Sequence, residues 1–163
     1  MDKTKILFVC LGNICRSPSA EAVMKAKLAE HKLSDKYYID SAGITGYHEG
    51  DSADSRMMQH AKKRAYQLTS ISRPVKAKDD FANFDFIIGM DDSNMTDLFN
   101  LAQTDADISK LSKMTDYSIK FSETNVPDPY YGGSQGFELV LDLLEDACEG
   151  LISQLEEHKK KGS

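Results

Sequence analysis

Val9-Cys10-Leu11-Gly12-Asn13-Ile14-Cys15-Arg16-Ser17 sets a cysteine, five residues and an arginine between an apolar run and a helical pattern. Before it, Lys5-Ile6-Leu7-Phe8-Val9 reads as a buried strand; after it, Ser17-Pro18-Ser19-Ala20-Glu21-Ala22 reads as a helix start, with Pro18 suited to an early helical position. The residues between form a strand-to-helix turn. Such a turn points successive N–H groups into one concavity, and the helix adds the positive end of its dipole, so the cradle suits a dianionic phosphate. Cys10 at the strand end faces the same field, which favours thiolate, the form that attacks phosphorus. Arg16 offers two parallel N–H donors that can follow equatorial oxygens as they flatten in a transition state. Ser17 can donate its hydroxyl proton to the Cys10 sulfur and make it a better leaving group. Gly12 permits close backbone approach, and Asn13 tolerates a left-handed conformation while its amide ties the loop. The expected anion-holding loop is thus Leu11, Gly12, Asn13, Ile14, Cys15 and Arg16.

Working outward, strand signals recur near residues 5–9, 36–41, 84–89 and 111–114. Helical periodicity predicts helices over about 20–31, 55–66, 92–102 and 135–158, with Asp92 or Ser93 capping the third. This alternation indicates an α/β domain with a parallel sheet, whose ligands bind beyond the carboxyl ends of the strands, where Cys10 is delivered. One domain is expected over residues 1–158, followed by a polar tail at 159–163. The 163 residues are 40% hydrophobic, enough for a sizeable core, and carry a net charge of −6, which disfavours generic binding to nucleic acid or to anionic membranes. No apolar stretch approaches a membrane span and the amino terminus leads straight into a strand, so the expected location is the cytoplasm. Cys10, Cys15 and Cys148 are too few for a secreted disulfide framework, and no metal-binding quartet or cofactor motif is visible. Cys148 reads as a small buried hydrophobe. His31, His48, His60 and His158 read as solvated surface groups, and none is assigned to a site.

Cleavage of a phosphate ester by a thiolate leaves an oxygen that needs a proton, which Arg16 cannot supply. Asp128 is the best candidate. It sits in Val126-Pro127-Asp128-Pro129-Tyr130-Tyr131-Gly132-Gly133, a proline-flanked turn whose carboxyl could project over a pocket. Tyr130 and Tyr131 beside it supply aromatic faces, and Tyr47 follows the second strand; together they could sandwich a planar aryl phosphate. Asp91 ends the third strand and is a candidate contact to the loop rather than a catalytic group.

These motifs, in this order, resemble a low-molecular-weight protein tyrosine phosphatase. The likeness rests on Cys10 to Ser17, Asp40-Ser41-Ala42-Gly43, Phe84-Asp85-Phe86-Ile87-Ile88-Gly89-Met90-Asp91 and Asp128-Pro129-Tyr130-Tyr131-Gly132, and so covers nearly the whole chain. It implies a single-domain flavodoxin-like fold, with four strands in the order 2-1-3-4 and helices on both faces. It further implies hydrolysis of phosphotyrosine and aryl phosphates through a phosphocysteine, with Cys10, Arg16 and Asp128 as catalytic residues and phosphotyrosine-containing proteins or peptides as partners. Asp128 would then serve as base for the water that releases phosphate. Ser41 would help Ser17 support the loop by fixing Asn13. Ile14, where by family analogy a threonine marks phosphoarginine phosphatases, argues for a flat aromatic substrate. The resemblance also raises the expectation that Cys10 and Cys15, five positions apart, form a protective disulfide on oxidation. One departure is visible: many relatives carry a histidine before the third strand, where Ser70-Ile71-Ser72-Arg73-Pro74 stands, so altered support behind Asn13 is expected. Two other functions compete. A thiol-dependent arsenate reductase shares the fold but relays oxidation through further cysteines, which residues 75–100 lack. A non-catalytic phosphotyrosine-binding module would have no need of nucleophile, arginine and acid together.

Overall fold

The apolar run that opens the chain becomes the centre of the sheet. In the computed structural model, which describes residues 2–162 apart from the side chain of Tyr131, β1 (Thr4–Cys10) lies between β2 (Tyr37–Gly43) and β3 (Phe86–Gly89). A short β4 (Leu111–Lys113) completes a four-stranded sheet in the order β2-β1-β3-β4, all pairs parallel. This is the flavodoxin-like order that the resemblance implies. Ile6, Leu7, Phe8 and Val9 are fully buried because both faces of the sheet are covered, which is why the strand is a continuous apolar run rather than an alternating one. Ile6, Phe8 and Cys10 pack with α1 (Arg16–Glu30) and α6 (Gly133–Lys161), while Leu7 and Val9 pack with Phe81 of α3 (Ala77–Asn83) and Leu98 of α4 (Asp92–Leu101).

The remaining helices are α2 (Ser55–Lys63) and α5 (Asp105–Ser109). The short α3 and α5, of seven and five residues, escape a periodicity reading because neither completes enough turns to show an apolar stripe. The helix expected to end near His158 continues through Lys161, so three lysines of the expected tail are helical. Four basic residues in its last turn suit the negative end of the helix dipole. Asp91, rather than Asp92 or Ser93, caps α4: its side chain accepts from the Asn94 N–H at 2.7 Å, using the extended backbone at the end of β3. Cys148 is fully buried in α6, as expected.

Candidate active site

The parallel register that sets Cys10 opposite Gly43 brings the ends of β1 and β2 to one edge, and the chain leaves β1 into the expected loop. Asn13 has φ 57°, the left-handed conformation anticipated for it, and α1 starts at Arg16, so the helix N-terminus faces the loop. Asn13 Nδ2 donates to Ser17 Oγ at 2.8 Å and to Ser41 Oγ at 3.0 Å. Ser41 in turn donates to Glu21 Oε1 at 2.7 Å. With Asn13 supplying both of its hydrogens, Ser17 accepts on one side and keeps its own proton for Cys10 Sγ, 3.1 Å away, or the more distant Ala42 carbonyl at 3.3 Å. The larger sulfur at the shorter separation takes the better bond.

Behind the loop, the expected disturbance is met by other groups. Ile71 points outward, 55% exposed, and the Arg73 N–H donates to Asn13 Oδ1 at 3.0 Å while Ser72 Oγ donates to the Gly12 carbonyl at 2.9 Å. Arg16 is buried, and its Nη1 donates to Asp91 Oδ2 at 2.5 Å and to the Val126 carbonyl at 3.0 Å. One arm of the fork is therefore held, which fixes the guanidinium plane at the loop. Asp91 thus makes the contact to the loop expected of it, through Arg16, and caps α4 as well.

The Val126 N–H also donates to the Met90 carbonyl at 2.8 Å, so the segment leading to Asp128 is pinned to the end of β3. Asp128 Oδ1 accepts from the Tyr130 N–H at 3.0 Å, and Pro129–Tyr131 forms a single 3-10 turn. Cys10, Arg16 and Asp128 line one cavity of about 530 Å³ together with Leu11, Gly12, Ile14 and Cys15. Tyr47 and Tyr130 stand at its rim, 84% and 64% exposed. The side chain of Tyr131, the third expected aromatic, lies outside the described residues. His48, read from the sequence as a surface group, lines the wall instead: it packs edge-on to Tyr47 and approaches the backbone of Gly12. Asp54, also unforeseen, lines the cavity and caps α2 by accepting from the N–H groups of Arg56 and Met57. Burial opposes its ionisation, but Arg56 and those two N–H groups outweigh burial and hold its carboxyl below the usual range. The Cys15 thiol is pushed up to about 12, first by burial, then by the charge of Asp54, Cys10 and Asp128, with Arg56 opposing. Among the described residues no cluster of three metal-ligating side chains occurs.

A buried thiol, a phosphate-type loop and a carboxyl at one cavity on a 2-1-3-4 sheet are the arrangement that a cysteine-dependent phosphatase of this flavodoxin-like fold requires. The comparisons with known proteins specify the family. The sequence profile described as low molecular weight phosphotyrosine protein phosphatase matches residues 5–161, and the chain belongs to that family. A putative low molecular weight protein-tyrosine-phosphatase of Synechocystis is 49% identical over 153 residues, 93% of this chain and 96% of that one. The human low molecular weight phosphotyrosine protein phosphatase is 35% identical over 150 residues, 91% of this chain and 94% of that one. Among solved structures, a protein tyrosine phosphatase of Entamoeba histolytica superposes with a TM-score of 0.93 at 54% identity, covering 96% of this chain and 99% of its own. Neither the reductase nor the non-catalytic module is favoured by this membership.

Proposed function

We propose that this chain hydrolyses phosphotyrosine in proteins or peptides through a phosphocysteine on Cys10. The observation that carries the reading is Cys10 Sγ at the cavity, 3.1 Å from the Ser17 hydroxyl, with Arg16 and Asp128 on the same walls. In the first step the Cys10 sulfur attacks phosphorus, Arg16 and the N–H groups of residues 11–16 hold the equatorial oxygens, and Asp128 protonates the departing phenol oxygen. In the second step Asp128, now a carboxylate, takes a proton from water, which attacks phosphorus and expels Cys10; the Ser17 proton eases that departure. Ser41 supports the loop through Asn13. Ile14 at the cavity and the rings of Tyr47 and Tyr130 favour a flat aryl group, in contrast to the arginine phosphatase of Drosophila whose structure this chain also resembles at 32% identity.

No described helix is long and apolar enough to cross a membrane, and the three cysteines are free; both support action in the cytoplasm. Residues 1–158 are proposed as the phosphatase domain and 159–163 as its polar extension. Redox control through Cys10 and Cys15 is part of the same proposal. Cys10→Ser is expected to abolish release of phosphate from phenyl phosphate, and Asp128→Ala to slow the phosphorylation step about 100- to 10,000-fold. Substantial turnover by Cys10→Ser in a stopped assay would refute the mechanism.

A further inference from the structure

Arg56, in the first turn of α2, joins parts of the site that are far apart in sequence. The Asp54 N–H donates to the Ile14 carbonyl at 2.8 Å, so the start of α2 is bonded to the phosphate loop itself. Arg56 Nη2 lies 3.2 Å from Asp54 Oδ2, and its Nε lies 3.4 Å from Oδ1. The same guanidinium is 5.3 Å from the centroid of the Tyr130 ring and 5.1 Å from that of Phe137. These two rings differ in exposure. Phe137 is buried in α6 and stacks on His60 of α2 at 5.2 Å and 9°, whereas Tyr130 is an exposed rim residue on the turn that carries Asp128. A planar cation that is held by a carboxylate and faces both a fixed ring and an exposed one ties the second to the first.

We propose that Arg56 is a positioning residue that holds the Asp128 turn against the phosphate loop, so that the acid meets the departing oxygen. Val126 anchors the chain upstream of Asp128, and the buried Pro129, against Gly136 of α6, anchors it downstream; Asp128 itself is exposed, and the contact of Arg56 with Tyr130 adds a tie from the α2 side. A carboxyl displaced by about 1 Å can lose up to a hundredfold of its effect on the chemical step. Arg56 is not among the residues that line the cavity, and it acts through Tyr130 on Asp128. The proposal rests on the assignment of Asp128 as the acid, and its test separates the two.

The phosphorylation step is measured by rapid mixing, with phenyl phosphate and with dinitrophenyl phosphate, for the wild type, Arg56→Ala, Arg56→Lys, Asp128→Ala and the Arg56→Ala/Asp128→Ala double variant. Dinitrophenolate leaves without a proton, so loss of acid alignment is silent with that ester. Arg56→Ala is expected to slow phenyl phosphate about five- to fiftyfold and the activated ester less than about twofold. Arg56→Lys keeps the charge beside Asp54 but not the planar stack, and is expected to show the same ester dependence with a smaller loss; it serves alone where Arg56→Ala does not fold. On the Asp128→Ala background, Arg56→Ala is expected to change phenyl phosphate turnover less than about twofold. Equal slowing of both esters by the Arg56 variants, or multiplied losses in the double variant, would overturn the clamp. Equal slowing of both esters by Asp128→Ala would overturn the acid assignment instead, and the clamp with it.

Discussion

Cys15 shows how far the site's neighbours set a residue's chemistry. Its thiol is pushed from an ordinary 9.0 up to about 12, mainly by burial and then by Asp54. Below about pH 9 the thiol is protonated whether the chain is folded or not, so it adds no pH dependence. Between 9 and 12 the unfolded chain releases that proton and the folded one retains it, so stability falls as pH rises, by up to about 1.4 kcal/mol per pH unit from this group. Urea denaturation in reductant at pH 8.5 and 10.5 is expected to show a smaller alkaline loss for Cys15→Ser than for the wild type; equal losses would contradict the burial argument. The raised thiol also constrains the proposed redox couple. Peroxide oxidises Cys10 to a sulfenic acid, and the Cys15 thiolate must then displace hydroxide from that sulfur to form the disulfide. Disulfide formation after a peroxide pulse is therefore expected to quicken close to tenfold per pH unit between 7 and 9, read by mass spectrometry of alkylated samples, while a rate indifferent to pH would exclude Cys15 thiolate as the resolving group. The loop that holds these cysteines was legible in the sequence because strand, turn and helix are contiguous. Asp91 was legible as a contact to the loop though not as the partner of Arg16, whereas Asp54 and His48 were not legible, since each reaches the loop only through the packing of a separate segment.

At the scale of elements, the fit between α6 and the segment Met114–Tyr117 decides the sign of an otherwise routine change. In a helix interior, alanine is preferred to glycine by about 1 kcal/mol. A β-carbon on Gly150, however, would lie 1.8 Å from the Tyr117 carbonyl oxygen, a backbone atom that can move only with its segment. Overpacking of this kind costs about 1–3 kcal/mol, so Gly150→Ala is expected to lower the melting temperature rather than raise it. One turn earlier, Asp146 is buried and its carboxylate accepts from the N–H groups of Ile119, Lys120 and Phe121. Asp146→Ala leaves those donors without their acceptor and is expected to cost about 2–4 kcal/mol in chemical denaturation, with Asp146→Asn losing less. Neither contact is visible in sequence, because the 114–121 segment has no regular period to read. The three longer strands and the four longer helices did announce themselves through their apolar patterns, whereas β4, Leu111–Lys113, has a single apolar residue. The 2-1-3-4 order came from the resemblance alone: hydrophobic period identifies strands and is silent on which lie side by side.

The proposed phosphate site lies where the ends of β1, β2 and β3 converge, so its occupancy is expected to be felt by the entire domain. Inorganic phosphate at a hundred times its dissociation constant would stabilise the folded state by about 2.7 kcal/mol, which for a chain of this length is roughly 5–11 °C in melting temperature. Differential scanning fluorimetry should show that rise in the wild type and little of it in Arg16→Ala; an undiminished rise in that variant would mean phosphate stabilises from elsewhere on the surface. The net charge of −6 makes such a local site more informative, because the overall field repels anions. Gly43 does not line the cavity, yet a β-carbon there would stand 3.0 Å from the Gly12 carbonyl carbon and the Thr45 oxygen, and 3.1 Å from the Asn13 nitrogen. Every one of those neighbours is main chain, so no rotamer can make room. Alanine at position 43 would require the main chain of the loop to give by a few tenths of an ångström, so a library randomised along this chain and selected for turnover is expected to retain glycine there more often than at other positions outside the cavity. The boundary of what evolution can vary is drawn around the back of the loop as well as its front.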